Sequence, residues 1–260
     1  MRAWLMPAGL FLAGMAVASL IISRSSDATQ TRKADSATAY IAVATNFRTT
    51  ADQLVAAFTR THRHQLIVVS GATGKLFNQI TQGAPFDVFL SADHERARRL
   101  LDEGRALPGS QKTYAFGRLV LLGTQRDPLH TLQNNQYQRL AMANPKLAPY
   151  GLAATQTLDT LGLSQAAAAK TVMGENVGQA YAMVATGNAD LAFVALSMLK
   201  PAQKSRSWLV PTDHHEPIRQ DLVLLEKGAR NPAALAFLAF LDSDAAISII
   251  EDAGYQVKIP

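Results

Sequence analysis

Four short runs bring hydroxyl, amide and small residues to points where an apolar strand gives way to a helical pattern. They are Ala44-Thr45-Asn46, Gly71-Ala72-Thr73-Gly74, Pro149-Tyr150-Gly151 and Glu175-Asn176-Val177-Gly178. A helix start leaves backbone N–H groups without intrahelical partners and carries about half a unit of positive charge, so it suits an anion. The donors on offer are the hydroxyls of Thr45 and Thr73, the Asn46 amide, and backbone N–H groups around Asn46, Thr73, Tyr150 and Val177. No carboxylate falls at the first three junctions, and only Glu175 lies near the fourth. A protonated oxyanion such as hydrogen phosphate needs an acceptor for its proton. A donor-only set therefore favours a fully ionised tetrahedral anion, and four helix starts at roughly half a charge each match a dianion.

Other chemistries fit less well. Lys75 after Gly74 suggests a nucleotide-binding P-loop, but that pattern needs glycine five residues before Gly74 and Ser or Thr after the lysine. Val69 and Leu76 stand there. The chain has no cysteine, which excludes disulfides, thiolate metal sites and cysteine nucleophiles. His62 with His64, and His214 with His215, lack a third ligand at metal-site spacing and read as exposed loop residues. Asp87 falls on a strand and Asp93 at a helix start, which is not a catalytic carboxylate pair. No G-x-S-x-G elbow or H-E-x-x-H motif occurs. Each site residue also has a plainer reading. Thr45, Asn46 and Thr73 suit helix caps, Tyr150 a half-buried loop aromatic, Val177 a core residue and Lys75 a solvated side chain.

The elements that must position these junctions alternate. Strands are expected at 40–44, 66–69, 87–90, 118–122, 140–143, 171–173, 191–195 and 218–225. Phe47, Ala51, Leu54, Val55 and Phe58 recur as one face of a helix. Asp93 caps a helix carrying Ala97, Leu100 and Leu101, and Val177, Ala180, Tyr181 and Val184 mark another. Asn231-Pro232 opens a further helix, and a last one runs from about Asp244 to Ala253. The stretch from Gly123 to Gln138 shows no clear element. This alternation predicts an α/β architecture with mostly parallel sheets. Two blocks and a returning tail predict two lobes, 39–117 plus 216–260 and 118–215, the second inserted into the first.

With 260 residues, 48% hydrophobic and 17% charged, the chain is long enough for two cores. Its net charge of +5 is spread without a dense basic block, so nucleic-acid binding has no support. No DNA-binding helix pair precedes residue 40, which argues against a regulator's sensing domain. Arg2 precedes an apolar run from Ala3 to Ile22, the pattern of a secretory targeting segment over 1–23. Ala16-Val17-Ala18 offers a cleavage site, while the run also approaches the ~20 residues of a membrane anchor; cleavage is the favoured reading. Residues 24–38 read as a flexible leader, and the rest as an extracytoplasmic, periplasmic protein.

Several blocks taken together resemble the periplasmic molybdate-binding proteins of ABC transporters. They are Ala42-Val43-Ala44-Thr45-Asn46-Phe47, Ser70-Gly71-Ala72-Thr73-Gly74-Lys75-Leu76, Gly83 to Asp93, Asn144-Pro145 with Ala148-Pro149-Tyr150-Gly151, and Asn176-Val177-Gly178-Gln179-Ala180. The likeness runs in order from about Ile41 to Tyr255. It implies a type II periplasmic-binding-protein fold that closes its interlobe cleft on molybdate or tungstate. It further implies delivery of the anion to an inner-membrane permease by a monomeric, non-enzymatic receptor that needs no cofactor. By the same resemblance, Thr45, Asn46, Thr73, Tyr150 and Val177 match the oxyanion-contacting positions. Val177 would act through its N–H, and Tyr150 through its N–H or its phenol. Ala195 stands where some members of the family carry a ligand tyrosine, and Asn46 would then supply the missing donor. Sulfate is the alternative ligand of the same class, and a phosphoryl- or acyl-transfer enzyme using Thr73 or Lys75 the alternative of a different one.

Overall fold

The computed structural model describes residues Ser36–Val257. The proposed targeting segment, the leader up to residue 35 and the last three residues lie outside them. In chain order, β1 (Thr38–Ala44) runs through a 3-10 turn (Thr45–Phe47) into α1 (Arg48–Thr61). Then β2 (Gln65–Gly71) leads to α2 (Thr73–Thr81), and β3 (Val88–Leu90) to α3 (His94–Asp102). β4 (Lys112–Gly117) passes almost directly into β5 (Leu119–Gly123), followed by α4 (Pro128–Gln133). β6 (Leu140–Ala143) leads to α5 (Pro149–Thr160), α6 (Ser164–Ala168), β7 (Thr171–Gly174) and α7 (Val177–Ala185). β8 (Leu191–Ala195) and β9 (Ser207–Leu209) complete this block. The chain returns through β10 (Ile218–Leu224) to α8 (Pro232–Leu241) and α9 (Asp244–Asp252).

These strands form two five-stranded sheets, ordered β2-β1-β3-β10-β4 and β7-β6-β8-β5-β9, one in each lobe. In each sheet four of the five strands run the same way, the mostly parallel arrangement expected, and one reversed strand makes the sheet mixed. β1 pairs parallel with β2 and β3, while β10 runs antiparallel to β3 and β4. In the second sheet β6 pairs parallel with β7 and β8, while β5 runs antiparallel to β8 and β9. The parallel pairs belong to strand–helix–strand units. The antiparallel ones involve strands that carry the chain between lobes, which no helical crossover constrains.

Alternation along the strands decides which helices each face receives. Ile41, Val43, Val88 and Leu90 pack with Phe47, Leu54 and Phe58 of the α1 segment and with Phe237 and Ile250 of α8 and α9. Ala42 and Phe89 face the other way, onto Leu76 and Phe77 of α2 and Leu100 of α3. The second lobe buries Leu119–Leu122 and Leu191–Ala195 against Tyr150, Ala154, Val177 and Ala180.

Three local expectations are corrected. A helix stands inside the stretch that looked featureless: Asp127, in the left-handed region at φ 54°, accepts from the His130 N–H, and Pro128 takes the first helical position. β4 and β9 went unanticipated because each is short or half polar. The histidines are half-buried rather than exposed. His62 stacks on Phe58 with ring centroids 4.1 Å apart, His64 accepts from the Ala37 N–H, and His214 lies against Trp208.

A register shift between Gln220 and Asp221 bulges β10 against β4 and buries both neighbouring side chains. The Asp221 carboxylate lies 2.7 Å from His94 Nδ1 and accepts from Gln111 (2.7 Å), Thr113 (2.8 Å) and Arg219 (3.0 Å). Burial alone would push this carboxyl up. Hydrogen bonds from His94, Thr113 and Gln111 and the Arg219 charge outweigh it and hold the group below its ordinary value. A depressed carboxyl contributes stability that is present above its unfolded value, near 3.9, and is lost as pH falls through its folded value. Asp221→Asn should therefore lower the thermal midpoint at pH 7, by the equivalent of about 2–3 kcal/mol. Its cost should shrink as pH falls through the depressed folded value, a convergence that melting curves across acidic pH will check.

Candidate functional site

The first-lobe junctions place their side chains without using them as caps. Thr45 opens the 3-10 turn after Ala44, and neither it nor Asn46 makes a side-chain cap bond. Thr45 Oγ1 is buried with no protein partner. Asn46 lies in the first turn, where helix geometry leaves its N–H without an intrahelical acceptor. Thr73, the first residue of α2, is also buried; its Oγ1 accepts from the Ala92 N–H at 3.3 Å. That bond occupies a lone pair and leaves the hydroxyl proton free to donate. The plainer reading of these residues as caps is set aside.

On the second lobe, Pro149 and Tyr150 begin α5, and Val177 begins α7 behind Asn176, whose side chain caps the helix by accepting from the Gln179 N–H. The Val177 side chain joins the second lobe's core while its N–H stands at the helix start, so the core reading holds and leaves the N–H unengaged by the helix. Tyr150 is fully buried rather than half-buried. Its phenol oxygen has no hydrogen-bond partner, and a Cβ at Gly117 would lie 2.1 Å from it. Only glycine at the end of β4 leaves room for that ring.

All five residues line one pocket, with Ala44, Gly71, Ala72, Ala92, Ala148, Pro149 and Asn176 as the other walls. No carboxylate and no cationic side chain is among them. Its free volume, about 10 Å³, is far below the 300–1,000 Å³ of drug-sized ligand pockets, so nothing larger than a few atoms fits among these walls. It suits a single small polyatomic ion.

Behind this pocket lies a polar cluster that motif reading missed. The Asn46 side-chain amide donates to Gln220 Oε1 (2.6 Å) and to the Tyr255 hydroxyl (3.1 Å). The Tyr255 hydroxyl in turn donates to the Asn46 carbonyl or to Ser197 Oγ, both at 2.8 Å. The Tyr114 hydroxyl donates to the Ser91 carbonyl. The Asn46 amide is thus committed to the protein, which leaves its N–H as the donor for a ligand. Burial pushes the Tyr114, Tyr150 and Tyr255 phenols up. For Tyr150 the neighbouring Tyr255 and Tyr114 add to this, and the Asn46 amide pulls weakly the other way without forming a bond. The phenols stay neutral, so the site presents no negative charge to an anion. Partners 174 and 209 residues apart carry no local sequence signal.

The lobes meet around the pocket. The Gly74 N–H donates to the Leu147 carbonyl (2.9 Å), and Arg96 donates to the Lys146 carbonyl (2.9 Å). Lys75 is exposed, as expected, and pairs with Glu175 at 2.7 Å. That pairing also occupies the one carboxylate near the fourth junction, which is not among the pocket's walls.

A two-lobed α/β frame with a donor-lined pocket between its sheets is the architecture of a solute-binding protein. A family model for bacterial extracellular solute-binding proteins matches residues 39–256, and the chain belongs to that family. Within it, the chain is 43% identical over 220 residues to the molybdate-binding protein ModA of Rhodobacter capsulatus, covering 84% of this chain and 87% of that one. It is equally 43% identical to the ModA of Azotobacter vinelandii, over 86% of this chain and 92% of that one. The solved periplasmic molybdate-binding protein of Azotobacter vinelandii superposes with a TM-score of 0.80 at 37% identity, covering 85% of this chain and all of that one. A sulfate-binding protein of Mycobacterium tuberculosis shares the fold, with a TM-score of 0.69 at 16% identity over 86% of this chain and 88% of that one.

The unpartnered phenol makes a direct test of the site's build. Deleting a buried hydroxyl that bonds to nothing removes a desolvation cost of about 1–3 kcal/mol. Tyr150→Phe should leave the thermal midpoint of the ligand-free protein unchanged or higher. A fall of several degrees would mean that the hydroxyl is bonded within the protein.

Proposed function

We propose that this chain captures molybdate, and tungstate with the same donors, in its interlobe cleft and delivers it to an inner-membrane ABC transporter permease. The observation that supports the reading best is the pocket's composition. Five residues from four strand-to-helix junctions surround it, two buried hydroxyls there lack protein partners, and no charged side chain lines it. The similarity to molybdate-binding proteins over most of the chain supports the choice of molybdate among tetrahedral dianions.

The donors come from both lobes: Thr45, Asn46 and Thr73 from one, Tyr150 and Val177 from the other. An anion seated among them is held only when the lobes meet, and the closed surface is then what a permease would recognise. Molybdenum arrives as its oxyanion, so the role calls for no cofactor and no cation ligand. Export by the N-terminal segment, with cleavage, would release a monomer to the periplasm.

Titration calorimetry with molybdate, tungstate and sulfate tests the assignment. Molybdate and tungstate should bind and sulfate should bind far more weakly; heat from sulfate alone would replace the ligand. Thr73→Ala should weaken molybdate binding at least about tenfold, as expected for a hydrogen bond to a charged group. Its fold should survive, and unchanged affinity would take Thr73 out of the site.

A further inference from the structure

We infer that Gly178 sets how far the two lobes close, by leaving a place for the Thr45 methyl group. The inference rests on the cleft binding an oxyanion as proposed above, and it adds a residue that would make no contact with the anion. Gly178 is the second residue of α7 on the second lobe, and Thr45 opens the 3-10 turn on the first. A Cβ at Gly178 would lie 2.7 Å from Thr45 Cγ2. Carbon atoms in ordinary contact stand about 3.5–4.0 Å apart, so a methyl there would overlap by roughly an ångström.

Two responses are open to the protein, and both spoil the pocket. Thr45 is β-branched and stiff about χ1, and turning its methyl away also turns Oγ1, the buried hydroxyl with no protein partner. Alternatively the lobes part. That stretches the Gly74 N–H to Leu147 carbonyl bond and the Lys75–Glu175 pair, the contacts that join them beside the pocket. Gly74 is the counterpart on the first lobe: it too is the second residue of its helix, and a Cβ there would come within 3.2 Å of the Leu147 carbonyl oxygen. In each lobe one helix start thus carries a glycine where the opposite lobe arrives.

A purely local role for Gly178 makes a different prediction. Its added Cβ would also lie 3.0 Å from Asn176 Oδ1, the cap of α7, so a substitution could act by disturbing that cap. A double-mutant cycle in the full-length protein, read by molybdate titration and ligand-free melting, separates the two. Thr45→Ser removes the methyl and keeps the hydroxyl, and its own affinity serves as the baseline. Gly178→Ala should weaken molybdate binding about tenfold or more beside Thr45, but less than about threefold in the Thr45→Ser background. Ligand-free thermal midpoints should hold throughout, since alanine is the better helix former. An equal loss in both backgrounds, or no loss beside Thr45, would overturn the inference. Failure of the unaltered protein to bind molybdate would instead remove the proposed function, and this inference with it.

Discussion

A doubly charged anion leaves water only if the protein replaces every strong hydrogen bond it gives up, and the oxyanion site proposed above would do so without a cationic side chain. A buried lysine or arginine would attract any anion, at a large desolvation cost to itself when the cleft is empty. Backbone N–H groups at helix starts avoid that cost. They are fixed by the fold, carry partial charge, and point in directions set by the helix axis. The dependence of the site on whole helices explains why its residues are small and ordinary. Val177 presents a main-chain N–H at a helix start while its side chain serves the core, and the Ala92 N–H donates to the Thr73 hydroxyl.

Support for the pocket comes from the polar cluster behind it. Asn46 ties its turn to Gln220 on the returning strand and to Tyr255 near the end of the described chain, and Ser197 reaches the same carbonyl from the second lobe. The bulge in β10 buries Gln220 and Asp221 in succession, one serving the pocket and the other the network around His94. A single backbone irregularity therefore supports both the site and the stability of the first lobe.

The strand–helix rhythm was legible because strands such as Ile41–Ala44 and Leu191–Ala195 are apolar runs, and helices such as α1 show a clear buried face. The Thr45, Asn46 and Thr73 junctions were legible for the same reason, since each follows closely on such a run. What escaped was short or tertiary. β4 and β9 carry weak patterns, and α4 has six residues and a single cap to announce it. The commitment of the Asn46 amide depends on partners brought from the far end of the chain. The fit of Gly117 around the Tyr150 phenol depends on how the lobes meet. Alternation also does not reveal which single strand in each sheet is reversed, because β10 and β5 are set by how the chain passes between the sheets.

The strand order has a bearing on how the molecule assembles. Every strand of the second sheet lies between Leu119 and Leu209, so that lobe can be completed from one continuous segment. The first sheet cannot, because β10 sits between β3 and β4 and is made only after the whole insertion. Until β10 arrives, β4 has no neighbour within its sheet and β3 keeps an open edge, a long-range closure of the kind that slows folding. Assembly should therefore run from the middle outwards, with the earliest-made lobe the last to become rigid.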